Sequence, residues 1–249
     1  MFVLLSNDDG YLSAGLRLLA DALANTVKRV VVMAPDRDCS GASHSLTLAR
    51  PLNVYAHDAQ IYSVDGTPAD CVKVALSGYF ETLPDMVISG INRGANLGDD
   101  VIYSGTVAAA FEGMQLGLPA LAVSNVSHAP KHWQSSVEVV KQLLLDIQKK
   151  PLPENTLLNV NIPDLPYEQI KGRRLTVLGR REPSNALVTV ENPRGQVMYW
   201  FDVAGQAKSS SQATDFDALA QGYVSITPLQ FDLTHQSKLE EMQTWLKEL

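Results

Sequence analysis

Short apolar runs alternate with polar loops and amphipathic segments over most of the chain. The run FVLLS at 2–6 predicts a buried strand, and the apolar positions Leu16, Leu19, Ala20 and Leu23 then recur at helical spacing. The chain therefore begins as a strand, a loop and a helix.

The same order recurs further along. Strands are predicted at RVVVMAP (29–35), VYAH, IYSV, DMVISG (85–90) and PALAVSN, and helices at TPADCVKVALSGYF, TVAAAFEGMQLG and WQSSVEVVKQLLLDIQKK. Strands that alternate with helices predict an α/β fold, a Rossmann-like and mostly parallel sheet with helices on both faces, because right-handed crossovers place the helices there.

The pattern changes after about residue 170. The strand-like segments RLTVLG and QVMYWFDVA come close together without a helix between them, which predicts a β-hairpin extension. We expect a single domain over 1–249, with a core at about 1–170 and 222–233, a hairpin or lid extension at about 173–221, and a C-terminal helix at about 236–249. The segment SSSQATDFDALAQG at 209–222 is predicted to be a loop or lid.

Composition narrows the class of protein. The 249 residues carry 27 acidic and 20 basic side chains and a net charge of −7, which argues against a nucleic acid polymer as partner. The N-terminus lacks the features of a secretory signal, and no apolar run is long enough to cross a membrane, so we expect a cytoplasmic protein without a membrane partner. The two cysteines, Cys39 and Cys71, are interpreted as free thiols.

Polar side chains follow the predicted strands. Asp8 and Asp9 come directly after the first strand, Ser40 follows the second, and Asn92 follows the strand at 85–90. Ligands bind beyond the carboxyl ends of parallel strands, so these loops should meet at one edge. Their oxygen atoms suit Mg²⁺ or Mn²⁺, and the lack of histidine and cysteine argues against zinc. Asp followed by Gly10 is also a strong turn signal, so a simple turn remains an alternative.

The glycine-rich stretch at 89–106 leads into a helix. Ser104, Gly105 and Thr106 at this helix start could present hydroxyl and N–H groups to a phosphate, although ordinary capping explains the same residues. The stretch matches neither a dinucleotide nor a P-loop fingerprint, and no nucleophile elbow is present. The pair Asp99 and Asp100 is interpreted as part of a solvated loop.

Several segments together resemble the SurE survival-protein family of nucleotidases. They occur in register and in order from residue 1 to about 233, and they are LLSNDDG, APDRDCSGASHSLT, GTPADCVKVAL, SGINRGANLGDDVIYSGTVAAAFEG, LPALAVS, LLNVNIPD and GYVSITPL. The resemblance implies a Rossmann-like fold and a metal-dependent phosphohydrolase of nucleoside 5'-monophosphates, which often acts on 3'-nucleotides too and in some members on short polyphosphate.

The resemblance also implies roles for particular residues. One Mg²⁺ or Mn²⁺ per subunit would be held by Asp8, Asp9, Ser40 and Asn92, with the two aspartates as the catalytic residues. Phosphate contacts would fall on Asn96 and on the turn of Ser104, Gly105 and Thr106. Members of the family form homodimers or homotetramers that exchange hairpin and C-terminal segments between subunits.

Three further interpretations stay open at this point. Asp8 or Asp9 could act as a covalent nucleophile. The same residues could serve a metal-dependent nucleoside hydrolase, which cleaves the N-glycosidic bond. The protein could also be a nucleotide- or phosphate-sensing module without turnover. His44, within the serine-rich loop, is a weaker candidate for acid/base work, because a loop histidine is more often a surface residue.

Overall fold

The computed structural model describes residues 1–183, 187–201 and 205–247. Its strands are β1 (Phe2–Ser6), β2 (Arg29–Pro35), β3 (Val54–Ala56), β4 (Ile61–Val64), β5 (Met86–Arg93), β6 (Ala120–Asn125), β7 (Leu157–Ile162), β8 (Arg173–Leu175), β9 (Val188–Glu191), β10 (Val197–Trp200) and β11 (Val224–Leu229). Its α-helices are α1 (Ala14–Ala24), α2 (Pro68–Val74), α3 (Gly105–Gln115), α4 (Trp133–Lys149), α5 (Asp215–Ala220) and α6 (Leu239–Lys247).

A nine-stranded sheet runs through the molecule in the order β3-β4-β2-β1-β5-β6-β7-β11-β8. The central strands from β4 to β7 pair in parallel, and the antiparallel pairs are β3 with β4 and β7 with β11. The predicted α/β class and mostly parallel sheet are confirmed. Strands β9 and β10 form a separate antiparallel hairpin.

Helices cover both faces of the sheet because alternate strand residues point to opposite sides. Val3 and Leu5 of β1 belong to one apolar cluster, which includes buried residues of α1 and α4. Phe2 and Leu4 belong to the other, which includes buried residues of α2 and α3. The loops at the carboxyl ends of the strands are thereby held on two well-packed layers.

The region after residue 170 differs in part from the prediction. The segment predicted as a strand of the hairpin extension begins within β8, which instead pairs in parallel with β11 at the edge of the main sheet. The predicted loop or lid at 209–222 contains α5. This helix forms because Thr214 and Asp217 make a capping box, in which the Thr214 hydroxyl accepts a hydrogen bond from the Asp217 N–H. The prediction of a C-terminal helix at 236–249 overlaps α6, and its last two residues lie outside the described part.

No helix in the described ranges is both long and apolar enough to cross a membrane. Both cysteines are free thiols, with Cys71 buried and Cys39 partly exposed.

Candidate active site

The loop after β1 turns sharply at Gly10, directly after the carboxylates of Asp8 and Asp9. Gly10 has a φ of +92°, a conformation that side chains disfavour. The Asn7 amide donates hydrogen bonds to the Gly10 carbonyl at 3.1 Å and to the Ser13 hydroxyl at 2.6 Å, which fixes the turn. The turn interpretation is thus correct for Gly10 but does not account for the burial of Asp8.

Asp8 is only 5% exposed although it is a carboxylic acid. Burial, aided by the neighbouring charge of Asp9, raises its pKa to about 6, while the hydrogen bond from the Thr106 hydroxyl acts in the opposite direction. Thr106 is the second residue of α3, so Asp8 lies against the positive end of this helix. A buried acid of this kind is a natural ligand for a cation.

Asp9 lies beside the end of β5. Its Oδ2 accepts a hydrogen bond from the Arg93 N–H at 3.1 Å, and Arg93 directly follows Asn92. Burial raises the pKa of Asp9, and the N–H and the guanidinium of Arg93 partly oppose that effect. The structure therefore brings the first and third of the predicted loops together.

The loop after β2 contacts the loop after β1 through its backbone. The Cys39 N–H donates to the Asp8 carbonyl at 2.8 Å, which sets Ser40 one residue away from a contact with Asp8. The Ser40 hydroxyl is exposed and donates to Asp38 at 2.6 Å. A hydroxyl oxygen that donates one bond still has lone pairs for a cation.

Asn92 presents its amide oxygen. Its Nδ2 donates to the Gly94 carbonyl at 2.9 Å, which leaves Oδ1 as the atom that a cation would bind. In the described ranges no group of three or more His, Cys, Asp and Glu side chains could hold a metal ion. The predicted ligand set contains only two such residues, and its other donors are a hydroxyl and an amide.

The start of α3 combines capping with close contact to Asp8. The Ser104 hydroxyl accepts a hydrogen bond from the Val107 N–H at 3.1 Å, so Ser104 is the cap of the helix. A Cβ atom on Gly105 would lie 2.7 Å from the Cβ of Asp8 and 3.0 Å from the Cγ of Pro68. Glycine at this position is what allows the helix to approach the carboxylate.

Asn96 lies beyond the end of β5 and is 7% exposed. Its side-chain amide bonds to the Ser124 hydroxyl at 2.8 Å. Because a hydroxyl both donates and accepts, this bond persists if the amide is turned to present its NH₂ group to an anion.

Other contacts were missed by the sequence reasoning. Asp99 and Asp100 are not simply solvated, because Asp99 accepts from the Arg181 N–H at 3.1 Å and Asp100 pairs with the Arg181 Nε at 2.8 Å. His44 is more than a surface residue, since its Nε2 lies 2.9 Å from Oε1 of Glu112, which is 3% exposed. Acid–base pairs between distant segments leave no periodic signal in a sequence.

Buried asparagines of β7 were missed as well. Asn159 and Asn161 contact Asn96 and are fully buried. Their signal is visible in LLNVNIPD, where polar residues alternate inside a strand that is otherwise apolar. Buried polar side chains are nearly always hydrogen-bonded, so such an alternation indicates specific partners.

Comparison with known proteins identifies the family of the chain. The sequence matches the family described as survival protein SurE over residues 3–185, which is most of the chain. The chain belongs to the SurE family. The resemblance noted in the sequence is thereby confirmed, and the matched residues include the loops that carry Asp8, Ser40, Asn92 and Ser104.

Individual SurE proteins are similar over nearly their whole length. A 5'-nucleotidase SurE from Dichelobacter nodosus is 56% identical over 247 residues, 99% of each chain. Another from Nitrosococcus oceani is 51% identical over 249 residues, 100% of this chain and 99% of that one. The crystal structure of the SurE protein from Aquifex aeolicus has a TM-score of 0.88 at 41% identity, over 98% of this chain and 99% of that one.

Proposed function

We propose that this SurE protein is a divalent-metal-dependent 5'-nucleotidase that releases phosphate and nucleoside from nucleoside monophosphates, and that it also accepts 3'-nucleotides and short polyphosphate. It is an enzyme of the phosphoric monoester hydrolase class, the class that the name of its relatives denotes. The observation that carries the finer proposal is the buried Asp8 carboxylate against the N-terminus of α3.

The residues present fit a hard divalent cation. Asp8, Asp9, Ser40 and Asn92 offer only oxygen donors, the type that Mg²⁺ and Mn²⁺ prefer. Burial raises the pKa of both aspartates, so a positive charge beside them would relieve an unfavourable arrangement. When bound, such a cation polarises a phosphoryl oxygen and brings the pKa of a bound water towards neutrality.

The chain's own groups complete the site. The N-terminus of α3 carries Ser104, Gly105 and Thr106. The positive end of the helix dipole lies against the Asp8 carboxylate, and this end favours binding of a phosphate beside that carboxylate. Asn96 borders the same edge of the sheet. Charge that develops on the phosphoryl group during attack would meet these fixed dipoles without reorganisation.

The proposal is tested by phosphate release from nucleotides and polyphosphate with Mg²⁺, Mn²⁺ or EDTA. Asp8→Asn should lower kcat/KM by at least about 100-fold, a loss comparable with that for disturbing a metal centre. Asp21→Asn is the matched control, because Asp21 is an exposed carboxylate of α1. Full activity of Asp8→Asn would disprove the metal site, and binding of AMP without any turnover would favour the sensing module.

The protein is also proposed to be a homodimer or homotetramer with exchanged C-terminal segments. In the single chain, Trp200 is 66% exposed, Phe201 94%, Leu233 88% and Trp245 51%, and these lie on the hairpin, near it and in the C-terminal segment. Large exposed apolar surfaces mark interaction sites. Light scattering should give a mass of at least two chains, whereas a monomer at micromolar concentration would contradict this part. A cytoplasmic location stays a prediction.

A further inference from the structure

Asn96 is fixed by two side chains from a strand that is distant in the sequence. The Asn96 N–H donates to Oδ1 of Asn161 at 2.9 Å, and the Asn96 carbonyl accepts from Nδ2 of Asn161 and Nδ2 of Asn159, both at 2.9 Å. Both asparagines are fully buried on β7. A side-chain amide thus pairs with the backbone of Asn96 as a neighbouring strand would.

These hydrogen bonds fix a part of the loop after β5 that lies outside the strand pairing of the sheet. Asn92 is still within β5 and pairs in register with Ser124 of β6. Asn96 follows four residues later, beyond the end of the strand. The backbone there is positioned by the β7 asparagines and by the side-chain bond to Ser124.

We propose that Asn159 and Asn161 are positioning residues for phosphate, which act by holding Asn96 at the edge of the sheet. The proposal rests on the proposed function and on the contact with the substrate phosphate that the resemblance to the SurE family implies for Asn96. We call the hydrogen bonds of Asn159 and Asn161 with the Asn96 backbone the asparagine clamp. The asparagine clamp should affect the binding of phosphate and not that of the cation, because Asn92 is held by strand pairing and Asp8 by α3.

The test compares Asn161→Leu with Asn125→Leu. Asn125 is a fully buried asparagine at the end of the adjacent strand β6, but its side chain bonds to Ser136 at 3.0 Å and to the Ser127 N–H at 3.0 Å instead of to Asn96. Both variants remove a buried amide, so both should lower the melting temperature.

Of these two variants, Asn161→Leu alone should raise the KM for AMP and the inhibition constant of inorganic phosphate, each by about tenfold, the value of one net hydrogen bond. The Mn²⁺ concentration for half-maximal activity should stay within about twofold of the wild type in both variants. Asn159→Leu provides a milder variant, because it removes one bond to Asn96 and an Oδ1 that has no partner among the described residues. It should fold even if Asn161→Leu does not, and should raise the phosphate inhibition constant by a smaller factor.

Unchanged phosphate inhibition and KM in the folded variants would overturn the proposal, as would an equal change in Asn125→Leu. A weakened response to Mn²⁺ with unchanged phosphate inhibition would also overturn it. If the wild-type protein released no phosphate from any nucleotide, the proposed function would fail first. The asparagine clamp can be refuted separately from the proposed function only if the wild-type protein releases phosphate.

Discussion

Replacing Gly105 by alanine tests whether Asp8 must lie where α3 places it. The new methyl group would lie 2.7 Å from the Cβ of Asp8 and 3.1 Å from its Oδ2. Ordinary carbon–carbon contacts are about 3.5–4.0 Å, so Asp8 or the helix must move by about 1 Å. Neither has room, because Asp8 is 5% exposed and the same methyl meets Pro68 at 3.0 Å.

The expected effects on stability and on activity differ in size. Overpacking costs about 1–3 kcal/mol of unfolding free energy, and the better helix propensity of alanine offsets up to about 1 kcal/mol of that. A displacement of about 1 Å at a catalytic group can cost about 100-fold in rate. We therefore expect a modest loss of stability and a loss of about 100-fold in kcat/KM for phosphate release.

Gly113→Ala is the matched control, because Gly113 lies on the same helix and its methyl would meet Val87 in the apolar core at 2.6 Å. Urea unfolding and Mn²⁺-dependent phosphate release from AMP are measured for both variants. Gly113→Ala should lose stability with little change in kcat/KM. Wild-type kcat/KM in Gly105→Ala, or an equal loss in both variants, would show that activity does not depend on the place where α3 holds Asp8.

Two further predictions concern stability. Burial raises the pKa of Asp8 to about 6, so the folded state loses stability as pH rises through that value. Asp8→Asn removes the buried charge and should therefore raise the metal-free unfolding free energy at pH 8 by up to about 3 kcal/mol. An unchanged unfolding free energy would contradict the presence of a destabilising buried charge on Asp8. Burial alone would raise the pKa of Glu112, but its contacts with His44 and Lys73 lower the pKa overall. These contacts therefore stabilise the folded state above the unfolded-state pKa of Glu112, and this stabilisation is lost in acid. Glu112→Gln should therefore lower urea stability by about 1–2 kcal/mol at pH 7, and a deficit that persists below the folded pKa of Glu112 would argue against this pairing.

The strands of the parallel core and the starts of α1 to α4 could be predicted because they depend on local patterns. The run at 29–35 is β2 without a change of boundary, and α2 begins within the predicted segment TPADCVKVALSGYF, where the Thr67 hydroxyl caps it by accepting from the Asp70 N–H at 3.1 Å. Apolar periodicity and capping are properties of neighbouring residues, so one sequence is enough to show them.

Contacts between distant segments could not be predicted in the same way. The bond of Asp8 to Thr106 spans 98 residues, and that of Asn161 to Asn96 spans 65. Topology explained why these loops meet at one edge, but not which atoms pair there. The edge strand β8 was misassigned for a related reason, since a short strand joins whichever sheet offers it a free edge.

We propose above that the carboxylates after β1 serve phosphate release that depends on a divalent cation. Its most direct test is to incubate the protein with AMP and to quantify phosphate, adenosine, adenine and ribose 5-phosphate, with Mn²⁺, with Mg²⁺ and with EDTA. We expect equal amounts of phosphate and adenosine, formed with the metals and abolished by EDTA. Adenine with ribose 5-phosphate, or phosphate release that is unaffected by EDTA, would contradict it.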